Sequence, residues 1–263
     1  MAATRRLAEL RAPELAARLG PGSVVVQPIG ATEQHGPHLP FVTDLLIAET
    51  VASEVVSRYG DEHDLWLLPP LAYSKSNEHA WSAGTIWLSA TTLLAVLDDI
   101  GRCIAGTPAR RLVFLNGHGG NSSLLSVANR ELRLRYGLLT FLTHPSVPPD
   151  QGGPAHSEEL GMGIHGGLGE TSMVLHLRPD LVDMDAAVRN LPERLSANRH
   201  VRFGGSVPFG WLSNDFGPDG HVGDPTLASA ERGKELFEAA VANLGEQMAE
   251  IAAFDLPITP TGD

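Results

Sequence analysis

The sequence has one cysteine, a deficit of positive charge and no long apolar run, and each shortage excludes a class of protein. A lone Cys103 cannot form an intramolecular disulfide, which favours a reducing, cytoplasmic setting, and its apolar helical surroundings predict a buried, unreactive thiol. Lysine and arginine total 19 against 31 aspartate and glutamate residues, a formal charge of −12. Because long-range repulsion opposes approach to phosphates, we expect no nucleic-acid partner and no anionic membrane partner.

Several motifs of other protein classes are also missing. No uninterrupted apolar run of about 18 residues occurs, so no membrane span is expected. Residues 1–20 contain no signal-peptide core of about 7–15 apolar residues and instead predict an amphipathic helix. Neither a G-x-S-x-G elbow nor a G-x-x-x-x-G-K-[ST] phosphate loop is present, and with Cys103 expected to be buried, a serine or cysteine nucleophile has no support.

What is present is an alternation of short apolar runs with longer helical patterns, typical of an α/β fold around a largely parallel sheet. With 263 residues, 43% of them apolar, the chain can bury one large core, so we expect a single domain over 1–263 with its core at 22–254. Strands are predicted at 23–29, 65–70, 111–116 and 138–143. Helices are predicted from Thr43 as N-cap to Gly60 as C-cap, at 90–106, at 121–137 with Asn121 as N-cap, and from Thr226 onward.

Three polar clusters fall in loops of this predicted sheet. GATEQHGPHLP (30–40) follows the first strand, NGHGGN (116–121) follows the third, and GIHGGLGETS (163–172) has the same glycine-rich character. In an open parallel sheet, ligands bind beyond the carboxyl ends of the strands, where such loops converge. The candidate metal ligands are Glu33, His35, Asp44, His118 and Glu170.

Each candidate ligand also has an ordinary explanation when taken alone. Asp44 at a helix start is favourable for the helix dipole, Glu33 could be a surface loop residue, and His118 could hydrogen-bond within its own turn. A metal site accounts for all of them together. His38 could support a ligand, and that question stays open.

The loop SKSNEHAWSAGT (74–85) follows the second predicted strand and lies at the same rim. It offers Asn77, Glu78, His79 and Trp81 as substrate contacts, and an ordinary polar loop is the equal alternative. The long Gly- and Pro-rich stretches 144–163 and 202–225 are expected to cover the site.

Imidazole and carboxylate ligands without thiolates suit zinc, manganese or iron and do not by themselves choose among them. Zinc is our first expectation, with manganese or iron as alternatives. The candidates exceed the three protein ligands of a usual catalytic zinc site, and a carboxylate can bridge two ions, so the sequence predicts two divalent ions per subunit. Two close ions would lower the pKa of a shared water to give a bridging hydroxide and would polarise a carbonyl. The expected chemistry is therefore hydrolysis.

Together, GATEQHGPHLP…TD, NGHGGN and H-x-G-x-x-E-T-S, in this order, resemble the creatininase family of creatinine amidohydrolases, from about residue 22 to the final helix. The resemblance implies a single three-layer α/β/α domain and a dinuclear centre that hydrolyses an amide, cyclic amide or formamide C–N bond. It also implies a homo-oligomer, a hexamer being favoured. Small amides or short peptides would be the substrates.

Carried over residue by residue, the resemblance makes Glu33 and His118 ligands of one ion, His35 a ligand of the other and Asp44 the bridge. His165 matches the catalytic histidine of the family, which protonates the departing nitrogen.

The chain departs from the creatininase enzymes proper at NGHGGN, where they resemble N-G-H-Y-E-N. Gly120 cannot coordinate a metal, so Glu170 is our candidate for the missing ligand and for a catalytic role. Gly119 replaces a tyrosine at a substrate-facing position, which makes creatinine itself doubtful. Family members with this form include formamide hydrolases and a mycofactocin precursor peptidase. A peptidase that releases a C-terminal dipeptide and a catalytically silent metal-binding relative therefore remain alternatives.

Overall fold

The computed structural model describes residues 4–147 and 157–257 and contains one sheet of four parallel strands. The strands are β1 (Val24–Ile29), β2 (Leu65–Leu67), β3 (Arg111–Asn116) and β4 (Leu139–Thr143), in the spatial order β2-β1-β3-β4. Val24 pairs with both Leu65 and Arg111, and Arg111 pairs with Leu139, so the four strands start in line. Their carboxyl ends consequently share one edge of the sheet.

Helices cover both faces of this sheet. The described α-helices are α1 (Ala12–Arg18), α2 (Thr43–His63), α3 (Ala90–Ala105), α4 (Ser122–Tyr136), α5 (Leu168–Leu177) and α6 (Ala230–Ala253). Helices α2, α5 and α6 pack on one face, and α3 and α4 pack on the other. The predicted three-layer α/β/α fold is confirmed. Among the described residues, no helix combines the length and apolarity needed to cross a bilayer.

The layers follow from side-chain alternation along the strands. In β3, Val113 and Leu115 point into the core shared with α2 and α6, whereas Leu112 and Phe114 point into the core shared with α3 and α4. All four side chains are fully buried. A strand that is apolar at consecutive positions is what a sheet covered on both faces requires.

Two predicted helix caps are wrong. Thr43 is the first residue of α2 rather than its N-cap, because its hydroxyl donates to the carbonyl of Pro40 at 2.8 Å and the flanking position is Val42. Gly60 lies inside α2, which continues to His63, and Asp64 takes the left-handed C-cap conformation with φ 49°. Bonds from the Arg5, Ser23 and Trp66 side chains to the Asp64 carboxylate stabilise that conformation at a non-glycine residue.

Three other elements are shorter than predicted. Strand β2 stops at Leu67 because Pro69 and Pro70 have no N–H for the ladder. Helix α6 starts at Ala230, where the Ser229 hydroxyl accepts from a backbone N–H, and not at Thr226. The opening segment is helical only over α1, with a separate 3₁₀ turn at Leu7–Glu9.

Cys103 was expected to be buried and is exposed. The buried stripe of α3 consists of Leu93, Leu97, Gly101 and Ile104, and Cys103 lies about 100° around the helix from the last of these. Apolar residues on both sides of the stripe made the pattern look wider than it is.

Candidate metal centre

Two glycines bring the first turn of α2 against the strand ends. Gly30 directly follows β1, and a Cβ there would lie 2.4 Å from the Leu45 backbone; Gly117 directly follows β3, and a Cβ there would lie 2.6 Å from the Asp44 carbonyl oxygen. Any larger residue at either position would push α2 away. The close approach places Asp44 beside the loops that follow β1 and β3.

Glu33 lies in the middle of the cluster and is fully buried. Its Oε1 is 3.3 Å from Nε2 of His79, 3.3 Å from Nδ1 of His118 and 3.6 Å from Nδ1 of His165. Its Oε2 accepts a short hydrogen bond from the Ser76 hydroxyl. Among the described residues, none forms a hydrogen bond of acceptable geometry with Oε1.

Asp44 faces two imidazoles, one on each side. Its Oδ1 lies 2.9 Å from Nε2 of His35, and its Oδ2 lies 3.1 Å from Nδ1 of His118, without hydrogen-bond geometry at Oδ2. Nε2 of His35 is also 3.9 Å from Oε2 of Glu170 and 4.0 Å from Oε1 of Glu33. Asp44 thus lies between two imidazoles, with a further carboxylate near each of them.

These residues fit divalent metal ions. Three sets of ligand atoms lie within 4.8 Å of one another: Glu33, His79 and His165; His35, His165 and Glu170; Glu33, His35 and Asp44. Two buried carboxylate oxygens without hydrogen-bond partners, Oε1 of Glu33 and Oδ2 of Asp44, are costly unless a positive group compensates them. All donors are nitrogen or oxygen, which suits zinc, manganese or iron.

The histidines around Asp44 are strongly basic. Burial lowers the pKa of His35, but Asp44, Glu170 and Glu33 outweigh burial and raise that pKa to about 10. Burial opposes the charge on His118 in the same way, and Glu33, Asp44 and Glu78 raise its pKa well above the usual value. The pKa of Asp44 is depressed, since His35 and His118 outweigh its burial. The carboxylates around His35 and His118 thus favour positive charge at the centre.

His165 and Glu170 are shifted in the opposite sense. Burial, then the neighbouring His35 and His79, holds the pKa of His165 well below its usual value. Burial raises the pKa of Glu170 to about 7, with His35 opposing the shift. His165 is therefore a neutral imidazole at neutral pH, whereas the Glu170 carboxyl group changes its charge close to neutral pH.

Backbone carbonyls orient two of the candidate ligands by accepting hydrogen bonds from the ring nitrogens that face away from the centre. Nδ1 of His35 donates to the carbonyl of Glu33 at 3.1 Å, and Nε2 of His118 donates to the carbonyl of Lys75 at 3.0 Å. Each imidazole thus turns its other nitrogen toward the centre. Glu78 also contacts Nε2 of His118, at 3.3 Å, and is paired with Lys75 at 2.9 Å. His118 is the main group that outweighs burial and lowers the pKa of Glu78 to about 2.

Gly120 makes room for this carboxylate. A Cβ at Gly120 would lie 1.9 Å from Oε1 of Glu78 and 2.4 Å from Nε2 of His118. The residue that cannot supply a ligand therefore leaves its space to a carboxylate from another loop.

Gln34, Ser76 and Lys75 belong to the site and were not predicted. The Gln34 amide donates toward Nδ1 of His79 at 2.9 Å, and its backbone carbonyl accepts from Nε2 of His165 at 2.7 Å. Its Oε1 accepts from a backbone N–H at 2.8 Å, which fixes the amide orientation. A polar residue between two candidate ligands in E-Q-H was the available signal.

Asn121 has a different role from the one predicted. It occupies the N-cap position of α4, but its side chain makes no capping bond. Its Oδ1 accepts from the Lys75 backbone N–H at 3.1 Å, and its Nδ2 donates to Asn116 at 3.2 Å. The side chain ties the loop after β3 to the loop that carries Lys75.

A cavity of about 540 Å³ opens on one side of the centre. Gly119, His165 and Glu170 line it, as do parts of the loop 144–163. Asn77, Glu78, His79 and Trp81 are not among its lining residues; His79 is buried against Glu33, and the Trp81 indole donates to Ser213 at 2.6 Å. The part of the predicted covering loop at 148–156 lies outside the described residues. The stretch 202–225 reaches the site, because the Gln34 amide donates to the Gly220 carbonyl at 3.2 Å and the backbones of His165 and Val222 pair. Other residues of the stretch pack in a cluster around Phe203 and Val222.

A three-layer α/β/α domain with imidazoles and carboxylates gathered at the strand ends is the arrangement of a metal-dependent hydrolase. The family model described as Creatininase: Creatinine amidohydrolase matches residues 8–248. The chain therefore belongs to the creatininase family. Its class, an amidohydrolase acting on C–N bonds, agrees with the sequence prediction.

Two curated relatives illustrate the range of the family. The chain is 38% identical over 225 residues to the mycofactocin precursor peptide peptidase of Mycobacterium ulcerans (strain Agy99), covering 82% of this chain and 81% of the relative. It is 37% identical over 205 residues to the creatinine amidohydrolase of Pseudomonas putida, covering 70% of this chain and 76% of the relative.

Solved structures of creatininases share the fold. A Zn-Zn form of a creatininase variant has a TM-score of 0.74 and 29% identity, covering 95% of this chain and 98% of that chain. The Mn form of creatininase has a TM-score of 0.74 and 29% identity, covering 94% and 98%. Binding of divalent metal is in keeping with these relatives and with the ligand sets described above.

Proposed function

We propose that this protein is a two-metal amidohydrolase that cleaves an amide, cyclic amide or formamide C–N bond. Glu33 and His118 would hold one ion, His35 and Glu170 would hold the other, and Asp44 would bridge them. The observation that carries the proposal is the pair of buried carboxylate oxygens, on Glu33 and Asp44, that lack hydrogen-bond partners among the described residues and face imidazole nitrogens. Zinc is the first expectation for both ions, with manganese or iron as alternatives.

Glu170 supports the second ion position because of where it lies. Its Oε2 is 3.9 Å from Nε2 of His35 and accepts from the Gly166 N–H at 2.6 Å. Its side chain is 29% exposed, in contrast with the fully buried Glu33, so Glu170 is on the side of the centre that a substrate can reach. It thereby supplies the carboxylate that Gly120 lacks.

When bound, the ions polarise a substrate carbonyl and lower the pKa of water. His165 then handles the proton. Its Nε2–H donates to the Gln34 carbonyl, so the lone pair on Nδ1 faces the centre. With its pKa held low, His165 is neutral, accepts a proton at Nδ1 from the attacking water and passes it to the departing nitrogen. Gln34 keeps the tautomer that this transfer requires.

The alternative function is a peptidase that releases a C-terminal dipeptide. It is favoured by the 38% identity to a mycofactocin precursor peptide peptidase over 82% of this chain. A catalytically silent relative would keep the metal and lose turnover. We further propose a cytoplasmic homo-oligomer, with a hexamer as the first expectation, built from single-domain subunits with the core at 22–254. Light scattering of the purified protein tests the subunit number.

The function is tested on protein stripped with a chelator and reconstituted separately with zinc, manganese or iron. We expect close to two ions per chain by elemental analysis and turnover of at least one member of a panel of amides, cyclic amides, formamides and short peptides, followed by mass spectrometry. His165→Ala should keep the metal and lose turnover by roughly a hundredfold or more. Fewer than one ion per chain after reconstitution, or hydrolysis that survives His165→Ala, would overturn the proposal. Release of dipeptides alone would establish the peptidase instead.

A further inference from the structure

The cavity beside the centre has two chemically different ends. One end is formed by His165, Glu170 and the loop after β3, and the other by α6. Helix α6 contributes Leu236, Ala239, Asn243 and Glu246, whose spacing of three and four residues places them on one face. From Leu236 to Glu246 the helix advances ten residues, about 15 Å at 1.5 Å per residue. The cavity can therefore hold an elongated molecule.

Part of the cavity wall is apolar. Ile47 and Met173 line it from α2 and α5, and Leu236 and Ala239 line it from α6. Burying a hydrocarbon chain against such a surface is favourable by the hydrophobic effect. A substrate that reaches α6 from the metal centre passes this section.

The far end is polar and incompletely paired. Nδ2 of Asn243 is buried and has no acceptor among the described residues. Glu246, three residues further along the same face, is exposed and makes no ion pair with any described residue. Because Nδ2 of Asn243 has no accessible surface, the exposed carboxylate of Glu246 is the group on this face that a polar part of the substrate can reach.

No lysine or arginine is among the described residues that line this cavity, and burial lowers the pKa of the lining residue His144. On α6, Arg232 is 3.4 Å from Glu158 and is not a lining residue. A carboxylate on the substrate would have no cation to meet at the far end.

The other carboxylates of the cavity are already used. Oε1 of Glu159 accepts from the backbone N–H groups of Leu168 at 2.9 Å and Asp224 at 2.7 Å. The carboxylate of Glu170 is assigned to an ion. Glu246 is thus a lining carboxylate that has no ion-pair partner among the described residues and is not assigned to an ion.

We propose, as a consequence that rests on the proposed function, that the substrate is an elongated amide with an apolar chain and a terminal cationic group, an amine or a guanidine. The amide lies at the centre, the chain lies along Ile47, Met173 and Leu236, and the cation meets Glu246. An anionic chain end, such as the C-terminal carboxylate of a peptide, is disfavoured there.

Three probes of equal chain length test this charge preference: N-(6-aminohexyl)acetamide, N-heptylacetamide and 7-acetamidoheptanoate. With metal-reconstituted enzyme we expect kcat/KM to fall in the order cation, neutral, anion. Glu246→Gln should reduce the ratio of the cationic to the neutral probe about fivefold, the scale of a solvent-exposed ion pair. Glu250→Gln, which removes an exposed carboxylate of α6 outside the cavity, should leave the ratio as it is. An unchanged ratio in Glu246→Gln, or preference for the anionic probe, overturns the proposal.

Failure of the charge preference can be told from failure of the proposed function. If no amide is cleaved, the hydrolase assignment fails, and competition between the three probes is measured by ligand-observed NMR on the metal-loaded protein. If the cationic probe binds preferentially and Glu246→Gln loses that preference, the assignment of the cavity is still supported. Binding without regard to charge, or no binding of any probe, overturns it.

Discussion

The metal centre and the far end of the cavity differ in how firmly their side chains are held. At the centre, Glu33, His35 and Asp44 are almost completely buried, and each imidazole is fixed from behind by a carbonyl or an amide. At the far end, Nδ2 of Asn243 has no acceptor in the part of the chain that the structure describes, and Glu246 is exposed. The centre is positioned by strand ends, whereas the far end depends on one face of a single helix.

This difference separates chemistry from selectivity. Groups that bind metal and move protons need fixed positions, and rigid strand ends supply them. Groups that choose between substrates can change without disturbing the reaction, because loops and exposed helix faces carry few other contacts. Substitutions at the centre should therefore have large effects on every substrate, and substitutions at the far end should change the order of substrates.

Glu33→Gln should have the largest effect. The amide keeps the volume but removes the charge that lies between His79, His118 and His165, so at least one ion should be lost. We expect kcat/KM to fall by roughly a thousandfold, which corresponds to about 4 kcal/mol of transition-state stabilisation. Elemental analysis and initial rates measure both. Glu62→Gln, at a side chain that is 72% exposed, is the matched control. Full metal content and activity in Glu33→Gln would show that the ions are held elsewhere.

Glu170→Gln should have a smaller and more selective effect. The side chain is partly exposed and assigned to one ion only, so metal content should fall from about two ions to about one. We expect kcat/KM to fall roughly a hundredfold, because one ion and its fixed partners remain. If Glu170→Gln still binds two ions per chain, another residue must supply the missing ligand, and His79 would be the next candidate.

The sequence indicated which candidate ligands lie close together better than it indicated the residues that orient them. Glu33 and His118 could be recognised because both follow apolar strands, and parallel topology brings such loops together whatever their separation in the chain. Gln34 and Ser76 act through contacts between loops, which no spacing rule encodes. Asn243 and Glu246 looked like ordinary polar positions of an amphipathic helix. The caps of α2 were wrong because local preference competes with tertiary contacts, such as those that hold Asp64.

Gly120→Ala should destabilise the protein through the support of His118. A Cβ at this position would lie 1.9 Å from Oε1 of Glu78, so that carboxylate must leave His118. We expect the free energy of unfolding to fall by about 1–2 kcal/mol and metal affinity to fall about tenfold. Gly119→Ala is a close control for stability, since a Cβ there would meet nothing within 4 Å. Chemical denaturation of both variants should separate them, and equal stability would show that Glu78 can move without cost.

The smallest expected effect is a dependence of stability on pH that bound metal removes. In the metal-free protein the pKa of His35 is raised to about 10, above its value of about 6.5 in an unfolded chain. Its contribution to stability is therefore complete below pH 6.5 and is lost as the pH rises toward 10. Glu170, with a pKa raised from 4.5 to about 7, lowers stability progressively between these two pH values and by a constant amount above them, so the pH dependence in the window from 7 to 10 reports on the histidines.

In that window, calorimetry should show the Tm of the metal-free protein falling with rising pH, and the fall should shrink in His35→Asn. Metal loading deprotonates the same imidazoles, so it should release protons at pH 7 and flatten the profile. Titration with zinc in buffers of different ionisation enthalpy measures the released protons. A flat profile in the metal-free protein, or metal binding without proton release, would mean that the charges at the centre are already balanced and that its contrast with the far end is smaller than the geometry indicates.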